Sequence, residues 1–265
     1  MNMKTTILKT DLRFPEGPAF DDAGRLWCVE QEGERLFCRH VDGTSERIQV
    51  GGKPNGLTKG PDGWLYFCDS GKNAIRRLHP ENRQVETVLE AIHGQPLNMP
   101  NDLIFDQYGN LLFSCPGPPD DDVHGYVGVL TTKGNTDIIT EGLRYPNGLA
   151  MLPNGTSLLI AETHRKRIWC GHWDAVSLTW ENIRVWAETG EKGFGPDGLT
   201  VGPDGNLYAA IYGGSRVQVF DQDGISVSEI SIPGENPTNL TFSPDGYRLI
   251  VTEADKGQLL SIQLS

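Results

Sequence analysis

No stretch of this chain approaches the ~18 consecutive apolar residues of a membrane-spanning helix, and the N-terminal MNMKTTILKTDLRF has no apolar core of signal-peptide length. The sequence therefore predicts a protein of the cytoplasm without a membrane partner. Basic side chains are few: 23 Lys and Arg face 35 Asp and Glu, and the net charge of -12 disfavours nucleic acid and anionic surfaces as ligands. Such acidity serves solubility; its sharper reading is a local acidic site that takes a cation. The five cysteines are odd in number and lack metal-finger spacing, so no structural disulfide is expected in a reducing compartment. A GxSxG phrase is missing, and GGSR at 213–216 falls within a predicted turn and strand, so no serine nucleophile announces itself. Helical periodicity is missing too. Apolar residues alternate with a period near two, which argues against an α/α solenoid.

What is present is turn chemistry and repetition. Thirty-two Gly and 17 Pro supply the punctuation that many short strands need. Six segments share one grammar of a polar opener, a short alternating apolar stretch, an Asp/Asn/Gly turn and a second apolar stretch: EGPAFDDAGRLWCVE, NGLTKGPDGWLYFCD, NDLIFDQYGNLLFSC, NGLAMLPNGTSLLIAE, DGLTVGPDGNLYAAI and NLTFSPDGYRLIVTE. They begin at Glu16, Asn55, Asn101, Asn147, Asp197 and Asn239, at spacings of 39 to 50 residues. That period suits four strands per unit and predicts an all-β, six-bladed propeller of four-stranded blades, one domain over 1–265. Only 26 residues follow Asn239, enough for three strands. The unpartnered TTILKTDLRF is therefore expected to pair with GQLLSIQLS as the missing outer strand and close the ring. Cys28, Cys68 and Cys115 near the ends of second strands are expected to be buried packing, with Cys115 held open because an irregular segment follows it.

The innermost strand of each blade runs along the central channel, so the six openers converge on one rim. Two carboxylates and four amides there would offer only oxygen, the donor set of a hard cation. A plain reading of Asn-Gly and Asp-Gly as turn markers accounts for the Asn positions. It does not account for Glu16, which has no turn preference and would repel Asp197 across the axis unless a cation or protons intervened.

FPEGPAF, MPNDLIFDQYGN, YPNGLAMLPNG, GPDGLTVGPDGNLYAAIYGGSRVQVFDQDG and PTNLTFSPDGYRLIVTEA, in this order over nearly the whole chain, resemble the blade motifs of the regucalcin (senescence marker protein), gluconolactonase and luciferin-regenerating enzyme family. That resemblance implies a six-bladed propeller with one divalent cation at the channel mouth, Ca first, with Zn, Mg or Mn as alternatives. It implies a lactone-opening activity, on sugar (aldono-) lactones above all. Matched by position, it makes Glu16, Asn147 and Asp197 the metal ligands, Asp197 also the base, and Asn101 the residue that faces metal and substrate. Two departures bear on the substrate. Met99 stands where some relatives place a substrate-binding Arg, and SCPGPPDDDVHGYVG, 114–128, reads as a rim loop that offers His124 or Tyr126 as a pocket wall. Tyr212 matches a position where the family often has Trp near the pocket. His164, beside Arg165, Lys166 and Arg167, reads as solvated surface first and as a rim contact to an anionic product second. His40, His79 and His172 lie away from the openers and receive no role.

Lactone opening needs an activated water, a polarised carbonyl and a stabilised oxyanion, and three protein oxygens on one cation leave room for all three. A phosphotriesterase using the same site, or a non-catalytic calcium-binding or scaffold propeller, are the alternatives, since fold alone does not choose among them. The expected partner is a small lactone, and the expected state a monomer or weak oligomer.

Overall fold

Each of the six repeats turns back on itself by the same device. In the computed structural model, which describes residues 4–120 and 124–264, a glycine ends every inner hairpin turn. Gly24, Gly63, Gly109, Gly155, Gly205 and Gly246 all donate their N–H to the carbonyl three residues back, at 2.8–3.1 Å. Their φ angles of +71° to +82° are ones that glycine adopts without strain, which is why the turn glycine recurs. Asp106 shows how the turn is locked: its Oδ1 accepts the N–H groups of Tyr108 and Asn110 at 2.8 and 2.9 Å.

Six four-stranded antiparallel sheets result, with inner strands Pro15–Phe20, Pro54–Lys59, Leu103–Phe105, Pro146–Met151, Gly195–Val201 and Pro237–Phe242. Neighbouring inner strands pack side by side around a ring, and the fold is the expected six-bladed propeller. The last blade is completed from the chain's start. Lys4–Lys9 lies antiparallel to Gln258–Gln263, with Ile7 opposite Leu260, so both unpaired edges disappear as predicted. No helix of the described residues is long and apolar enough to cross a membrane.

Period-two alternation turns one face of each blade to each neighbour, and the apolar residues gather accordingly into six clusters, one per interface between blades. Cys68 and Cys115 pack between the second and third blades and Cys28 between the first and the last. All five thiols are free and buried, and burial pushes the Cys115 thiol up to about 12, which keeps it protonated.

Four blades end their second strand in a buried carboxylate: Glu30, Asp69, Glu162 and Glu253. Each accepts the backbone N–H of the segment that leads into its own inner strand, from Arg13, Lys53, Arg144 and Asn236 at 2.7–3.0 Å. Glu162 is bound as well by Arg167 Nε at 2.7 Å and Trp169 Nε1 at 2.8 Å. Those bonds fix where each opener enters the channel. Glu162→Ala leaves the half-buried Arg167, the exposed Arg165 at 3.1 Å and a backbone N–H without their anion, and should lower stability by about 2–3 kcal/mol. A denaturant midpoint that falls with an unchanged m-value is the expected reading.

The sixth repeat differs from its alignment by one residue. Pro237 pairs with Glu253 as Pro15 pairs with Glu30 and Pro146 with Glu162, so Thr238, not Asn239, stands in the opener's place. Its hydroxyl donates to the Pro15 carbonyl at 2.8 Å across the ring closure. Asn239 falls one residue deeper in the channel.

Candidate functional site

The openers stand where they do because their neighbours are small. A Cβ on Gly148 would lie 2.3 Å from the Asp197 carbonyl oxygen of the next blade. Its φ is not left-handed, so this glycine serves close approach of inner strands rather than a turn. The same position is Gly17, Gly56 and Gly198 in three other blades, and Asp102 and Asn239 in the remaining two. These last two side chains meet in the channel, where Asn239 Nδ2 donates to Asp102 Oδ2 at 3.3 Å.

Above that contact lies a cavity of about 400 Å³ whose floor is Glu16, Asn55, Asn101, Asn147 and Asp197. Five of the six expected openers are therefore brought together, including all four to which the resemblance gave a role. Glu16 and Asp197 are 3% and 6% exposed. Burial pushes the Glu16 carboxyl up to about 8, with Asp102 adding like charge. Burial likewise lifts Asp197 well above the usual carboxylate range, with Glu16 and then Asp102 contributing. Burial alone raises Asp102, to about 6, against the Leu103 N–H and Asn239, which hold it down. Glu16 Oε2 accepts the adjacent Gly17 N–H at 2.8 Å. Asn147 turns its Nδ2 to Thr163 Oγ1 at 3.4 Å, and the Thr163 hydroxyl donates in turn to the Pro196 carbonyl at 2.7 Å. Asn55 Oδ1 is buried without a hydrogen-bond donor. An acceptor left bare beside two repelling carboxylates is what a cation-binding floor leaves when no cation is counted.

Tyr212 apart, the walls come from residues to which the sequence reading gave no pocket role. Phe14 and Tyr145 precede Pro15 and Pro146, and both line the cavity from left-handed backbone, φ +54° and +59°. Tyr145 stacks on His164 at 4.8 Å and 18°. Burial, followed by the charges of Asp197 and Glu16, raises its phenol to about 12, so it remains a donor, and it faces Asn101. Gln31 and Thr163, which follow Glu30 and Glu162, also line the space, as do Phe194, Pro119 and Tyr212. An aromatic residue stands one or two places before the Pro in FPEG, YPNG and FGPDG, a signal present in the sequence but not used.

Tyr212 is thus at the cavity, and His164 is there rather than only on the surface. Met99, His124 and Tyr126 are not among the lining residues. Met99 shares the left-handed backbone of Phe14 and Tyr145, at φ +52°, and its N–H donates to Asn73 Oδ1 at 2.9 Å. Tyr126 pairs with Cys115 inside the third blade and accepts the Asn98 N–H at 3.3 Å. His124 is exposed, next to residues 121–123 of the rim loop, which lie outside the described residues.

The described residues hold one further group with metal-ligand chemistry: Cys38, His40 and Glu46, on the outer half of the first blade. Glu46 is already bound by Arg83 and by His40, and burial pushes the Cys38 thiol up to about 12.

The model of one family, described as the SMP-30/Gluconolactonase/LRE-like region, matches residues 14–255. The chain belongs to this family. The span runs from the residue before Pro15 to just past Glu253, and so takes in all six inner strands. A gluconolactonase of Zymomonas mobilis is 30% identical, over 93% of this chain and 78% of its own length. A diisopropyl-fluorophosphatase of Loligo vulgaris is also 30% identical, over 94% and 88%. Among solved structures, a gluconolactonase of Xanthomonas campestris superposes with a TM-score of 0.89 at 27% identity, covering 99% of this chain and 90% of that one.

Proposed function

We propose that the axial cavity opens the ring of a small lactone with the help of one divalent cation, an aldonolactone being the class that the named relatives suggest. The observation that carries this reading is the pairing of two buried carboxylates, Glu16 and Asp197, with a bare amide oxygen on Asn55, at the floor of an open cavity. The fit to a cation is chemical. Every candidate donor is oxygen, and no lysine or arginine among the described lining residues neutralises the two carboxylates. Glu16, Asn147 and Asp197 would hold the ion, with Asn55 as a fourth donor, and Ca is the first choice with Zn, Mg or Mn as alternatives. When bound, the ion would act as a Lewis acid on the carbonyl and stabilise the oxyanion that forms there.

The chain's own residues account for the remaining requirements. Asp197 would orient the attacking water and take its proton. Asn101 and the Tyr145 hydroxyl face each other across the floor and can direct a substrate oxygen. Relatives named gluconolactonase, pentonolactonase and L-arabinolactonase support the reaction class. A phosphotriesterase reading is favoured by one observation, the 30% identity to the diisopropyl-fluorophosphatase.

The test is a pH-indicator assay against a panel of lactones and one fluorophosphate, on chelated protein and after Ca, Mg, Mn or Zn is restored. Ring opening that returns with metal is the expected result. Turnover of the fluorophosphate alone would move the reading to the second class, and metal binding without turnover of any panel member would leave only a cation-binding propeller.

A further inference from the structure

The walls of the cavity differ in kind from its floor, and Phe194 is the residue that shows it. Its side chain is a large apolar group left 66% exposed at the mouth. Nothing about the segment leaves its position to chance. The Phe194 N–H donates to the Tyr212 carbonyl at 2.7 Å. A Cβ on Gly213 would lie 2.5 Å from the Phe194 ring, so that glycine clears the place the ring occupies. Gly193 and Gly195, on either side, hold φ angles of +94° and +147° that other residues rarely adopt. The Phe194 ring sits 5.8 Å from that of Tyr212, tilted by 51°. The stacked Tyr145 and His164 line the same space.

Charge is as informative as shape. No lysine or arginine is among the lining residues, and the residues outside the described set include neither type. Binding a phosphate or carboxylate group ordinarily calls on a guanidinium fork or an ammonium group. Here an anionic substituent would meet two carboxylates at short range, with His164 the one basic side chain among the described lining residues and no guanidinium or ammonium group to hold it. An uncharged lactone escapes that penalty, and the C–H face of its ring gains by covering an aromatic ring that is otherwise wet.

We propose that Phe194 and Tyr212 form the specificity wall of this site and that its substrate is an uncharged lactone, with phosphorylated and carboxylated lactones rejected. This rests on the lactone-opening reading and adds the charge class of the substrate and the residue that selects it. Phe194 contacts ground state and transition state alike, so it acts on binding and not on chemistry.

The experiment measures initial rates of the metal-loaded protein on glucono-δ-lactone, dihydrocoumarin and 6-phosphoglucono-δ-lactone, for wild type, Phe194→Ala and Phe194→Tyr. The expected wild-type protein opens at least one uncharged lactone and prefers it over the phosphorylated one by about 100-fold or more in kcat/KM. Phe194→Ala is expected to raise KM for the uncharged substrate about tenfold with kcat within about twofold, and Phe194→Tyr to restore it. The residue is exposed on a loop, so the alanine variant should retain the wild-type melting temperature. Equal kcat/KM for the phosphorylated and free lactones, or an unchanged KM in Phe194→Ala, would overturn the proposal and leave the lactonase reading standing. If no lactone is opened under any metal, the lactonase reading fails and the proposal falls with it.

Discussion

Asp197→Ala is expected to lower kcat/KM for lactone opening by about 10³-fold or more, since one change removes a cation ligand and the group placed to take a proton from water. The two roles separate in a second variant. Asp197→Asn keeps an oxygen at the floor and takes away both the charge and the basicity. If ligation is the main contribution, the asparagine protein still binds metal, with reduced affinity, and keeps part of its rate. If proton transfer is the main contribution, it binds metal and is as inactive as the alanine protein. Metal stoichiometry by isothermal titration, measured beside the rates, distinguishes the two cases. Both variants should fold, because Asp197 is one of three axial carboxylates that burial already forces toward the neutral form. A wild-type rate in Asp197→Ala would remove the axial floor from the chemistry altogether.

How far the sequence alone led is set by which residues repeat. The six blades were legible because the same turn glycine must recur wherever a strand reverses through a left-handed residue, from Gly24 to Gly246. Ring closure was legible because the last repeat runs out of chain and the first ten residues have no partner. The axial carboxylates were legible because Glu16 breaks a pattern of amides for which turn chemistry offers no reason. Asp102 was not legible by the same logic. It occupies a position that is glycine in four blades, where the requirement is space, so attention stayed on the residue before it. The register of the sixth repeat failed for a related reason: Asn239 looks like the other openers, whereas Thr238, which holds their place, offers a hydroxyl spent on the Pro15 carbonyl. The cavity walls were least accessible. Phe14, Tyr145, His164 and Phe194 come from loops of different blades, and only the closed ring makes them neighbours. Tyr126, chosen from the loop that follows the third repeat, and Met99, chosen for its place two residues before Asn101, are directed instead by strand pairing and by a loop hydrogen bond into other surroundings.

The two axial carboxylates also make stability depend on pH in a way that metal should cancel. An ordinary Glu carboxyl titrates at about 4.5, and burial pushes Glu16 up to about 8 in the folded chain, with Asp197 moved in the same direction. Between those limits the folded metal-free protein binds more protons than the unfolded chain. Stability falls with pH wherever the native state holds the extra protons. The contribution of these groups is therefore fully present below about pH 4.5 and is lost as pH rises toward 8. A bound divalent cation reverses the preference, because it favours the ionised carboxylates and competes with their protons. Thermal melts of chelated and metal-loaded protein should therefore lie close together near pH 5 and diverge steadily to pH 8. The gap should be widest at pH 8, where for a domain of this size it is expected to reach roughly 10 °C in Tm. In Glu16→Gln the chelated protein should lose the part of this pH dependence that Glu16 carries, while Asp197, raised first by burial, keeps its own. A gap that stays constant from pH 5 to pH 8 would mean that the cation does not sit on Glu16 and Asp197.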